Sequence, residues 1–146
     1  MKKILKLLSL FVLLIILSAC SLETSDKDVK SSPEKAKAEK IEIVKFYSTN
    51  QCYSCVYVGN KVFEIVDKKF REEYQTGKII LKDINVDNPK NKDIANKYQA
   101  RGSSLFFNFI IDGQENISED ANVWRLVGND QAFENYIIKK INDNLK

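Results

Sequence analysis

The alternation of strand and helix patterns constrains this chain most. Residues 41–48, IEIVKFYS, are apolar or β-branched at nearly every position, the pattern of a strand covered on both faces. From Cys55 to about Tyr74 the spacing changes. Val62, Val66, Phe70 and Tyr74 recur every four residues, which predicts an amphipathic helix stopped at Gly77. KIILKDINV (78–86) is a second strand, and Asp87-Asn88-Pro89 supplies a cap and a first-turn proline for a short helix through Ile94 and Tyr98. Arg101-Gly102 ends that helix, SLFFNFIID (104–112) is a third strand, and Asp112-Gly113 signals a hairpin into QENI. The closing segment 129–146 carries Phe133, Ile137, Ile141 and Leu145 at helical spacing, capped by Asn129 or Asp130. Trp124, Phe106, Phe107 and Phe109 read as core or edge packing. The order β-α-β-α-β-β-α predicts an α/β fold. Its mixed sheet, of about four strands flanked by helices, has parallel pairs joined by crossovers and an antiparallel edge from the hairpin.

The segment before Ile41 has another character. Lys2, Lys3 and Lys6 precede an apolar and small-residue run from Leu7 to Ala19. As a helix it spans roughly 20 Å, short of a hydrocarbon core of about 30 Å. A basic start, an apolar stretch of this length and small residues before a cut site describe an export signal. Leu17-Ser18-Ala19-Cys20 resembles the lipobox of bacterial lipoproteins, which implies cleavage after residue 19 and lipidation of Cys20. Residues 20–40 are rich in Ser, Lys, Glu and Asp with little to bury, and read as a flexible tether. The expected organisation is a signal peptide at 1–19, a lipidated Cys20 with its tether to residue 40, and one domain at 41–146. That places the domain at the extracytoplasmic face of a bacterial membrane. Ser21 after the lipidated cysteine permits the outer membrane of a two-membrane cell.

Charge excludes one class of partner. Residues 1–19 hold three of the 23 basic residues and none of the 20 acids, so the net charge of +3 belongs wholly to that segment. The balanced remainder has no cationic run to attract nucleic acid. The chain has no histidine, which excludes Ser-His-Asp catalysis, and its five glycines form no phosphate-cradling loop.

Chemistry concentrates in FYSTNQCYSC (46–55). Cys52 and Cys55 fall between the first strand and the first long helix, where unpaired backbone N–H groups and the helix dipole favour a thiolate, the nucleophilic form. Three readings of the pair stand: a redox couple, a structural disulfide, or half of a soft-metal or metalloid site. The loop between the cysteines closes little chain entropy, and zinc needs four ligands, so a metal site would require a second copy of the chain. No resident metal or cofactor is expected.

The stretches IEIVKFYSTNQCYSC and LKDINVDNPKNKDIANKYQARGSS, with the Asp-Gly hairpin and the closing helix, resemble the thioredoxin-like superfamily in its minimal form. The resemblance covers about residues 41–146. It implies thiol–disulfide exchange with Cys52 as attacking and Cys55 as resolving thiol, and a substrate groove formed by Tyr53, Ser54, Ser103 and Ser104. The implied partners are a disulfide or dithiol client protein and, by analogy, a transmembrane thiol carrier as electron source. Three features depart from the family pattern. Ser103-Ser104 stands where the family has a cis-proline, so a trans peptide is expected there. No imidazolium lies between the cysteines to depress the Cys52 pKa. With one extra residue allowed before Cys52, the family's buried acid on the first strand and lysine on the next align with Lys45 and Asp83, with signs exchanged; an ungapped alignment places Phe46 at the acid's position. Asp83, buried beneath Cys55, would then accept its proton during resolution.

Overall fold

The structure is a computed structural model and describes residues 36–146. The expectations for the export signal, Cys20 and most of the tether lie outside the described residues. The packed unit begins slightly before Ile41. Ala38 is fully buried and bridges Leu145, and the first strand, β1, spans Lys40–Tyr47.

β1 lies between two neighbours. It pairs in parallel with β2 (Ile79–Asn85) and antiparallel with β3 (Ser104–Ile111), which continues through the hairpin to β4 (Gln114–Glu119). The sheet order is β2-β1-β3-β4. Asp112 and Gly113 both take positive φ, 50° and 75°, as a two-residue hairpin between right-twisted strands requires. This is the expected α/β fold, a four-stranded mixed sheet flanked by helices.

Successive side chains of a strand point to opposite faces, and β1 is apolar on both. Ile41 and Ile43, with Leu105 and Phe107 of β3, pack under α1 (Tyr53–Lys69) and α4 (Asp130–Asn142). Val44, Phe46 and Phe106 pack on the other face with Ala95 and Tyr98 of α3 (Lys92–Tyr98). There the rings of Phe46, Tyr98 and Phe106 form a triangle with centroids 5.4 to 5.6 Å apart. Phe109 and Trp124 pack against the first cluster.

The structure departs from the expected elements in three places. The helical spacing through Tyr74 is interrupted: α1 ends at Lys69, Phe70 leaves helical geometry at φ −135°, and a separate short helix α2 covers Arg71–Gln75. The reason is length. Seventeen helical residues run about 25 Å, which matches the eight-residue β1 at about 26 Å, so the chain must turn there to enter β2. Tyr74, beyond the turn, is accordingly exposed. Asn88 caps a 3-10 turn (Pro89–Asn91), and α3 proper starts only at Lys92. Residues 121–126, between β4 and α4, form a further 3-10 helix. It is held by buried Asp120, which accepts from Asn122 N, Tyr136 Oη and Lys140 Nζ.

The aromatic triangle carries the α3 side of the sheet. Phe46→Ala should therefore cost about 3–5 kcal/mol of stability, read as a lowered urea midpoint with an unchanged slope. A loss below about 1 kcal/mol would remove the triangle from that role.

Candidate functional site

The loop between β1 and α1 is fastened at its far side. Thr49 N donates to Asp87 Oδ2 at 2.7 Å, and Asn85 Nδ2 donates to Thr49 Oγ1 at 3.2 Å. The loop thereby delivers Cys52 to the helix start, where it takes the N-cap position with extended backbone. Its sulfur fills the place of a capping oxygen, accepting from Cys55 N at 3.4 Å. Val56 N bonds Cys52 O and closes the first turn. No acidic residue lies in that turn to oppose a negative sulfur.

The two thiols differ in access: Cys52 is exposed and Cys55 is buried. Burial works against ionising Cys55. Hydrogen bonds from the Cys52 and Ser103 side chains and from backbone amides outweigh it, so the Cys55 thiol lies below its ordinary value. The two cysteine side chains form one hydrogen-bonded unit.

Ser103 and Ser104 part company. Ser104 pairs with Phe46 in the β1–β3 ladder and turns its hydroxyl back to Gly102 O at 3.2 Å. Ser103, one residue earlier, faces the cysteines and bonds Cys55. No peptide bond among the described residues is cis, so Ser103–Ser104 is joined in trans as expected. Tyr53 stands 75% exposed beside Cys52, while Ser54 is half-buried.

Lys45 and Asp83 are register partners across β1 and β2, with Nζ and Oδ1 3.6 Å apart. Their environments are the reverse of the expectation. Lys45 is only 8% exposed, whereas the Asp83 side chain is 63% exposed. β2 is the edge strand, so a side chain that leans outward from it reaches water, while one on inner β1 lies under α1. Asp83 is therefore not a buried carboxyl beneath Cys55. The buried charge is the cation.

Two residues that sequence reasoning passed over complete this corner. Gln51 Oε1 accepts from Lys45 Nζ at 3.0 Å, and Gly59 leaves the space that the lysine fills. A Cβ at Gly59 would lie 2.6 Å from Nζ. A glycine inside a helix costs about 1 kcal/mol against alanine, so Gly59 in an otherwise strong helical pattern was the readable signal of a close approach. Among the described residues, no group of three or more His, Cys, Asp or Glu is placed to hold a metal ion.

No family model and no curated protein matches the sequence. Among solved structures, the chain is similar to a thioredoxin from Fasciola hepatica, with 19% identity over 70% of this chain and 82% of that one, at a TM-score of 0.43. An uncharacterised thioredoxin-like protein from Clostridium perfringens is similar at 18% identity over 82% and 90% of the two chains, with a TM-score of 0.43. A thioredoxin from Thermus thermophilus shares 14% identity over 69% and 73%, at 0.43. These are distant likenesses of fold, and the chemistry of the site rests on its own geometry.

That geometry orders the two thiols by access. In the reduced protein an alkylating reagent should modify Cys52 at least about tenfold faster than Cys55, read by mass mapping of partly labelled protein. Faster labelling of Cys55 would reverse the assignment of roles.

Proposed function

We propose that the chain is a thiol–disulfide oxidoreductase acting through the Cys52–Cys55 couple. One observation carries the reading: an exposed sulfur caps the first long helix, and a buried sulfur lies one turn below it in the same hydrogen-bonded unit. The Cys52 thiolate attacks a client disulfide, forming a Cys52–client bond and expelling the second client sulfur as thiolate. Cys55 then attacks the Cys52 sulfur. The internal disulfide forms, the client leaves as its second thiolate, and two electrons have passed to it. With a dithiol client the same steps run in reverse.

Exposed Tyr53 beside Cys52 and Ser103 before β3 offer the surfaces that a client chain would meet, whereas Ser104 is buried and does not. The proposed setting is the extracytoplasmic face of a bacterial membrane, with Cys20 as lipid anchor. Two or three acyl chains give durable attachment, where a single chain does not. A tether from Ser21 to the first packed residues reaches about 20–25 Å on average, which holds the couple just off the membrane surface. A reductive role there needs electrons carried across the bilayer, for which a transmembrane thiol carrier is the proposed source.

The test is a trapping experiment. Cys55→Ser should accumulate a mixed disulfide between Cys52 and client proteins, with insulin reduction lost by at least about a hundredfold. Cys52→Ser should give neither adduct nor turnover. Equal trapping by both variants would refute the division of roles. Trapping by neither would move the pair to a structural or metal-binding function, checked by metal analysis of anaerobically purified protein.

The anchor has its own test. Cys20→Ser should release the protein from the membrane fraction or leave it as unprocessed precursor. Mature protein still bound to the membrane after this change would sink the lipid anchor.

A further inference from the structure

Lys45 is a charge in an expensive place. Its side chain is 10% exposed, it projects from an inner strand, and it lies under the first turns of α1, whose amide dipoles repel a cation. The contacts around it are weak compensation. They are the neutral Gln51 amide at 3.0 Å, the edge of the exposed Asp83 carboxylate at 3.6 Å, and the Tyr47 ring at 5.0 Å from Nζ to centroid. A buried cation without a close, equally buried anion points to charge that develops there during function.

Position identifies that charge. Gly59 is four residues after Cys55 on α1, so the two occupy one helix face with Cβ positions about 5–6 Å apart. The Cβ position of Gly59 is 2.6 Å from Lys45 Nζ. Gln51, which accepts from the ammonium, is the residue before Cys52. On the strand side, Lys45 neighbours Phe46, the ladder partner of Ser104, and Ser103 next to it bonds Cys55. The ammonium therefore lies within about 9 Å of the Cys55 Cβ, on the helix face that carries the buried thiol.

We propose that Lys45 is the counter-charge of the cysteine pair. Its ammonium, held in the space left by Gly59, favours the reduced, anionic couple over the neutral disulfide. Lys45 touches no client and is a positioning residue, and the inference rests on the exchange reading above. When Cys55 attacks the mixed disulfide, negative charge passes from its sulfur to the departing client sulfur. The ammonium stabilises the start of that step, and with it the dithiol product of the reverse reaction. The charged or titratable groups against the ammonium are Tyr47 from β1 and Asp83 from β2, and Tyr53 of α1 stands exposed beside Cys52. Asp83 draws on the same ammonium from the solvent side and weakens its effect.

The experiment equilibrates the full chain in glutathione redox buffers and compares wild type, Lys45→Met, Gly59→Ala and the double variant. Lys45→Met keeps the apolar stem and removes the charge. It should shift the equilibrium toward the disulfide about tenfold, a potential about 30 mV more negative. Gly59→Ala should shift it the same way by a smaller factor, because the added methyl displaces Nζ, and that shift should vanish in the Lys45→Met background. A second measurement uses Cys52→Ser, in which Cys55 is the remaining site thiol. There the midpoint pH of Cys55 alkylation should rise about one unit on adding Lys45→Met. Equilibrium constants within twofold of wild type, with an unmoved midpoint, would overturn the assignment of Lys45. A wild-type pair that forms no internal disulfide in these buffers would instead overturn the exchange reading, a different and separable result.

Discussion

Everything in this fold is arranged around β1. An inner strand buried on both faces must be apolar at odd and even positions alike, and Ile41, Ile43, Val44 and Phe46 meet that requirement. The odd positions face α1, the even ones α3. Lys45 interrupts the odd series at the end of the strand where α1 begins, and so fixes what can lie above it. The helix must carry a glycine there, the preceding loop must offer an acceptor, and the neighbouring strand an anion. Gly59, Gln51 and Asp83 supply these. A buried lysine on an interior strand costs stability, and these three residues offset part of that cost.

The architecture was readable because its elements obey clean periods. A doubly apolar run, a four-residue spacing and an Asp-Gly turn each specify one local structure, and together they specify the sheet. What escaped was set by tertiary geometry. The break at Phe70 depends on how far α1 must travel to match β1, and the apolar spacing runs on without a mark at that point. The 3-10 helix at 121–126 is held by Asp120 against Tyr136 and Lys140, residues of α4 that sequence spacing does not bring to mind.

At the site, the residue pair Lys45 and Asp83 could be aligned from sequence, but their burial could not. Burial followed from sheet order: an inner strand covers its side chains and an edge strand does not. Exchanging the signs of such a pair is therefore not a symmetric operation. With the cation inside and the carboxylate outside, the protein buries an ammonium against Gly59 and Gln51 where a carboxyl was expected.

The same asymmetry bears on how the site responds to pH. The chain has no histidine, the one side chain whose unperturbed charge change falls between pH 5 and 8. Ser103 stands where the resembled family carries a proline, and it gives the buried sulfur a hydroxyl donor that a proline ring lacks. That hydroxyl and the amides of the helix start are neutral donors. Burial of Cys55 opposes its ionisation, and the Cys52 side chain, the Ser103 hydroxyl and the amides of the helix start outweigh that cost.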